Sequence, residues 1–145
     1  MNPIFTFPIR VYWEDTDAGG VVFYANYLKF FERVRTEWFR SLGLEQHRLR
    51  ETYGGMFVVS EVQIQYLRSA KLDDALLATA ELVELGRTSL RMAQEVRLGD
   101  TVLCKGSVRA GWVDCKTLKP QRIPAVVLDE IAKQQNSCSN ATPNP

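Results

Sequence analysis

The sequence predicts an α+β fold, with one long helix packed on an antiparallel sheet. Three observations lead there: a strand pattern opens the chain, a wide apolar helical stripe follows it, and four alternating segments joined by short turns come next. Ordinary composition supports a soluble globular reading. Of the 145 residues, 46% are hydrophobic and 24% are charged. One domain over residues 1–135 is expected.

Ile4 to Trp13 is rich in β-branched and aromatic residues and reads as the first strand. A polar, glycine-ended loop follows, Glu14-Asp15-Thr16-Asp17-Ala18-Gly19-Gly20. The helix spans about Asn26 to Leu42. Tyr27, Phe30, Phe31, Val34, Trp38 and Leu42 share one face, and Lys29, Glu32, Arg33, Thr36 and Arg40 the other. Gly43 is the stop signal. At 1.5 Å per residue the helix is about 25 Å long, enough to cross a small sheet. A stripe this wide calls for cover on most of the circumference, which a curved sheet wrapped around it would give.

A shorter helix is expected over Glu45 to Thr52, broken by Gly54-Gly55. Met56 to Leu67 alternates, with Val58, Val62, Ile64 and Tyr66 interleaved by polar residues. Leu76 to Leu85 and Ser89 to Leu98 join through Gly86-Arg87-Thr88. Gly99-Asp100 turns the chain into Thr101 to Val113. A last helix is predicted from Ala125 to Gln135, after Pro124. The polar stretch 136–145 has no periodicity and is expected to be disordered.

Several functions are disfavoured at once. A net charge of +1, with no long single-sign run, argues against general nucleic-acid binding. The three cysteines form no CxxC pair, so neither a disulfide framework nor a zinc site is implied. Cys104 and Cys115 read as packing residues, and Trp13, Trp38 and Trp112 as core. The opening residues lack the pattern of a signal peptide, and no apolar run reaches membrane-spanning length. The cytoplasm is the expected location. The single histidine, His47, falls in the short helix, so a polyhistidine metal site is impossible and any nucleophile–histidine pair would have to use that residue. Glu14, Asp15 and Asp17 precede a helix, where a solvated loop of carboxylates favours its positive end. Asp-x-Asp also suits a hard cation, but no Gly-rich phosphate loop or second acidic cluster completes such a site.

The run Asp15-Thr16-Asp17-Ala18-Gly19-Gly20-Val21-Val22-Phe23-Tyr24-Ala25-Asn26-Tyr27, continuing through Leu28-Lys29-Phe30-Phe31-Glu32-Arg33, resembles the signature of hotdog-fold thioesterases. It is closest to the Tol–Pal-associated acyl-CoA thioesterases and their relative, 4-hydroxybenzoyl-CoA thioesterase. Arg35-Thr36-Glu37, Val58-Val59, Leu72-Asp73-Asp74, Arg87-Thr88-Ser89 and Lys119-Pro120 extend the likeness over roughly residues 5 to 130. The resemblance implies the hotdog fold, an antiparallel sheet wrapped around one long central helix. It implies a homodimer or homotetramer with sites shared between chains, and acyl-CoA hydrolysis without a cofactor or metal.

By the same resemblance Asp17 is the catalytic carboxylate and the backbone N–H of Tyr24 binds the thioester carbonyl. Many Tol–Pal-associated members have histidine where Tyr24 stands, so a role for that side chain does not carry over. Arg87, Thr88 and Ser89 match a turn that meets coenzyme A phosphates in the hydroxybenzoyl enzyme. A plain polar hairpin turn is the competing reading. The residue types suit the chemistry: a helix N-terminus presents N–H groups to an oxyanion, and a thiolate leaves without a strong acid. Asp17 as nucleophile and Asp17 as general base both stay open. Two other functions compete with hydrolysis. One is a hydroxyacyl thioester dehydratase, disfavoured because His47 lies in the wrong segment. The other is a non-catalytic or dual-role partner of acyl carrier protein or envelope-division components. Acyl preference is not legible, because the pocket walls come from several strands and two chains.

Overall fold

The computed structural model describes residues 3–141, with side chains to residue 135. Strand β1 (Ile4–Arg10) leads through a 3-10 turn (Trp13–Asp15) to helix α1 (Asn26–Ser41). Helix α2 (Gln46–Tyr53) follows, then strands β2 (Gly55–Tyr66), β3 (Ala75–Leu85), β4 (Ser89–Leu98) and β5 (Thr101–Asp114), and finally helix α3 (Ala125–Ala141). The five strands form one sheet in the order β1-β3-β4-β5-β2, each pair antiparallel. Strands and helices thus separate into an α+β fold, as the element order predicted.

Helix α1 packs against β1, β3 and β4. Its stripe is buried as its spacing required: Phe30, Phe31 and Val34 are fully inaccessible, and Tyr27, Trp38 and Phe39 nearly so. Burying each such side chain is worth up to about 1.5–3 kcal/mol, an upper range because unfolded chains are partly compact. Strand β5 lies so close to β2 and to the Phe31 ring of α1 that only glycine fits at 106. A Cβ there would lie 2.5 Å from the Gln63 carbonyl oxygen and 2.9 Å from the Phe31 ring.

The expectation of one long helix is corrected: α3, at 17 residues, is as long as α1, at 16. It runs past the predicted end at Gln135, to Ala141. The rest of the expectation for 136–145 concerns side chains and terminal residues outside the described ones. Among the described residues, no helix is long and apolar enough to cross a membrane.

The first strand ends at Arg10, short of the predicted Trp13. Trp38 and Trp112 are core, but Trp13 is 79% exposed, which overturns its reading as a core residue. The reason is local. The Asp15 carboxylate accepts the Tyr12 N–H at 2.8 Å, which turns the chain out of the ladder and leaves Trp13 on the outside. Cys104 is buried on β5, where loss of hydration pushes its thiol up to about 12. Cys115 is half-buried, and both thiols are free.

Candidate active site

The loop from β1 to α1 is fastened at its base to the β2–β3 connection. Val11 N–H donates to the Asp74 carbonyl at 3.0 Å, Asp73 N–H to the Val11 carbonyl at 3.1 Å, and Val22 N–H to the Ala70 carbonyl at 2.9 Å. Within the loop Thr16 pairs with Val22, so the chain doubles back and Asp17 lies opposite Val21. Asp17 N–H donates to the Val21 carbonyl at 2.9 Å, and Gly20 N–H to the Asp17 carbonyl at 3.1 Å.

The two aspartates of this loop have opposite surroundings. Asp15 is 2% exposed. Its Oδ1 accepts from Asn26 Nδ2 at 2.6 Å and its Oδ2 from Tyr12 N–H, while its carbonyl accepts Phe23 N–H at 2.9 Å. It therefore locks the 3-10 turn onto the first residue of α1. Asp17 is exposed, and only its Oδ1 is engaged, by Gly19 N–H at 2.8 Å. Among the described residues no hydrogen bond reaches Oδ2. A carboxylate held by one oxygen and open at the other is oriented yet available.

Helix α1 begins without a side-chain cap. Ala25 stands at the cap position and offers no acceptor. Asn26 N–H turns to the Phe23 carbonyl at 2.8 Å, and no acceptor among the described residues takes the N–H of Tyr24 or Ala25. Such unpaired donors at the positive end of a helix dipole form a site for an oxygen anion. The Tyr24 ring is exposed, in edge contact with Tyr66 at 6.0 Å and tilted against Phe23 at 4.9 Å. Tyr27 is buried, which raises its phenol pKa, and its oxygen accepts Ala70 N–H at 3.0 Å. A cavity of about 190 Å³ opens here, lined by Val22, Tyr24, Tyr27, Tyr66, Leu67, Arg68 and Ser69.

The structure brings Asp17 and Tyr24 into one loop and sets Arg87, Thr88 and Ser89 apart from them. Strand β3 starts at Ala75, opposite Arg10 at the loop end, and finishes at Leu85 beside the turn. Eleven residues at about 3.3 Å each separate the two ends by roughly 33 Å. The turn also has structural work. The carbonyls of Arg87, Thr88 and Ser89 accept from Ile123, Trp112 and Gly86 at 2.8, 2.9 and 2.8 Å. The side chains of Arg87 and Thr88 are exposed, and Arg109 donates to Ser89 Oγ at 3.4 Å. His47 is an exposed residue of α2, 3.9 Å from Glu45. Among the described residues no group of three His, Cys, Asp or Glu side chains could hold a metal ion.

Sequence reasoning grouped Asp15 with Asp17 as loop carboxylates and so missed its role as an anchor. The partner that reveals that role, Asn26, is eleven residues away, and no local pattern links them. Arg68 and Ser69 were also missed. They belong to a connection whose place beside α1 depends on the long-range Val22–Ala70 bond.

A carboxylate-bearing loop, an uncapped helix start and a cavity lined by Tyr24 meet on an α+β scaffold. The sequence pattern of the thioesterase superfamily matches residues 19–105, beginning two residues after Asp17, and the chain belongs to that superfamily. Among its relatives is the acyl-CoA thioesterase YbgC of Haemophilus influenzae, 43% identical over 123 residues, or 85% of this chain and 90% of that one. The acyl-CoA thioester hydrolase YbgC of Escherichia coli is 38% identical over 129 residues, 88% of this chain and 96% of that one. A crystal structure of a probable thioesterase from Bartonella henselae superimposes with a TM-score of 0.81 at 32% identity, covering 84% of this chain and all of that one. The fold is that of these hotdog thioesterases.

Proposed function

We propose that the chain hydrolyses acyl-CoA thioesters, with Asp17 as the catalytic carboxylate and the Tyr24 N–H as the oxyanion donor. The observation that carries this reading is the pairing of an unbonded Asp17 Oδ2 with unbonded N–H groups at the start of α1. The thioester carbonyl lies at the helix end, where the donors gain strength as its oxygen becomes negative. Removing one donor of this kind typically costs about 10²–10³ in rate. Asp17 either attacks the carbonyl carbon, forming a mixed anhydride, or takes a proton from the attacking water. In both routes the C–S bond breaks and the coenzyme leaves as thiolate, which needs no strong acid beside it.

The site is completed by a second copy of the chain. Strand β2 lies at the sheet edge, twelve residues long, with Val59, Val62 and Tyr66 each more than a third exposed. An open edge of this length is a template for pairing, and a twofold pairing would bring elements of one chain to the site of the other. That arrangement gives Arg87 its route to the substrate, since within one chain it lies a strand length away. Release of free thiol from a panel of acyl-CoA substrates tests the activity. Turnover of at least one of them is expected, and none across short, long and aromatic acyl groups would refute the reading.

A further inference from the structure

The cavity beside Tyr24 does not end at Ser69. A second cavity of about 690 Å³ adjoins it and shares Arg68 and Ser69, continuing to Lys71 and Thr101. Tyr66 and Leu67 line the first cavity together with Tyr24 and Arg68. Arg68 and Lys71 are exposed cations three residues apart in sequence, with Ser69 between them in the chain.

Neither cation has an acidic partner. Among the described residues Arg68 and Lys71 make no ion pair, a state they share with most cations of the chain, and they are the two cations that line this cavity. The carboxylate lining this cavity is Asp74, whose Oδ2 is engaged at 2.9 Å by the Lys71 backbone N–H, not by its ammonium group. Their backbones are fixed: Arg68 N–H donates to the Leu103 carbonyl at 3.0 Å, and Val21 pairs with Lys71. Both cations are thus presented on a braced segment that also buttresses the candidate catalytic loop.

We infer that Arg68 and Lys71 form a phosphate subsite for the phosphopantetheine arm of the thioester substrate, in the same chain as the Asp17 and Tyr24 that act on it. This deepens the thioesterase reading and rests on it. With the thioester carbonyl at the Tyr24 N–H, the arm on the sulfur side runs along Tyr66 and Leu67 and delivers its phosphate to Arg68, Ser69 and Lys71. Guanidinium and ammonium groups are the usual donors to phosphate oxygens, and each charge-assisted bond is strong for its kind. Arg87, roughly a strand length away in the same chain, cannot serve this phosphate without a second copy.

The test compares acyl-CoA with the matching acyl-pantetheine, which has the same thioester and no phosphate. The readout is the ratio of their kcat/KM values in wild-type protein and in the Arg68→Gln/Lys71→Gln double variant. Any loss of active protein cancels in that ratio. A fall of the ratio by about 10–100-fold is expected, the range for a lost hydrogen bond to a charged group. A parallel fall with acyl carrier protein as substrate assigns the contact to the phosphate that both carriers share. A fall with acyl-CoA alone assigns it to the phosphates of the nucleotide. A ratio within about twofold of wild type, with both substrates still turned over, overturns the subsite and leaves the thioesterase reading intact. Wild-type protein that cleaves neither substrate overturns both.

Discussion

The two ends of the sheet use their backbone differently. At the turn end, the carbonyls of Arg87, Thr88 and Ser89 are all taken by neighbouring N–H groups, which knit the β3–β4 hairpin to β5 and to Ile123. At the loop end, Tyr24 N–H, Ala25 N–H and Asp17 Oδ2 have no partner among the described residues, although the loop around them is heavily bonded. Unpaired polar groups on a braced frame are what a site needs, since they are free to bind and do not have to be reorganised first. Polar residues at a strand turn, by contrast, are accounted for by the hairpin itself. The proposed function accordingly puts its chemistry at the loop end. Under the proposed function, the exposed side chains of the turn end reach a site only in an assembly of two copies.

The largest expected effect falls on the brace. Asp15→Ala removes the acceptor for both Tyr12 N–H and Asn26 Nδ2 in a buried site, and each orphaned group costs about 1–3 kcal/mol. Urea unfolding should therefore show a loss of roughly 2–6 kcal/mol, with activity reduced because the loop no longer meets α1. A loss below about 0.5 kcal/mol, the range of ordinary surface substitutions, would show that the loop end is held some other way.

Arg87→Ala should have a smaller effect, confined to binding. KM for acyl-CoA rises severalfold while kcat holds, and a thioester without the nucleotide is indifferent. The same variant sharpens the contrast between the ends, because its effect requires the second copy. Sedimentation equilibrium should therefore find at least a dimer at micromolar concentration. Monomer alone, together with a KM effect at Arg87, would contradict the separation of the two ends.

The smallest effect concerns the thiols. A Cys104 pKa of about 12 leaves about 10⁻⁴ of it as thiolate at pH 8. In native protein, iodoacetamide should modify half-buried Cys115 well before Cys104. Equal rates would mean that β5 opens far more readily than its burial suggests.

Much of this architecture was legible. The α1 stripe follows a 3.6-residue period, and each of its members from Tyr27 to Trp38 is buried. The alternation of β2 and the glycine-marked turns fixed the later strands within a few residues. Trp13 was misread because a strand pattern does not show where the ladder stops, and the Asp15–Tyr12 bond that stops it is invisible to periodicity. Asp17 and Tyr24 were singled out through a contiguous motif, whereas Asp15–Asn26 and the place of Arg68 and Lys71 depend on contacts between distant segments. Local patterning carries no trace of those. Grouping Arg87 with Asp17 came from a resemblance to an assembled enzyme, and one chain separates them by the length of β3.

Under the proposed function Asp17 reacts and the acidic loop around it does not. Asp17→Asn keeps the shape, removes the charge and leaves the α1 donors untouched. Its control is Glu14→Gln, an exposed carboxylate of the same loop, since buried Asp15 is a structural anchor. On the best acyl-CoA substrate, Asp17→Asn should lower kcat by at least about 10²–10⁴-fold with little change in affinity, while Glu14→Gln stays near wild type. An Asp17→Asn enzyme working within about threefold of wild type would contradict the account, whatever the fold.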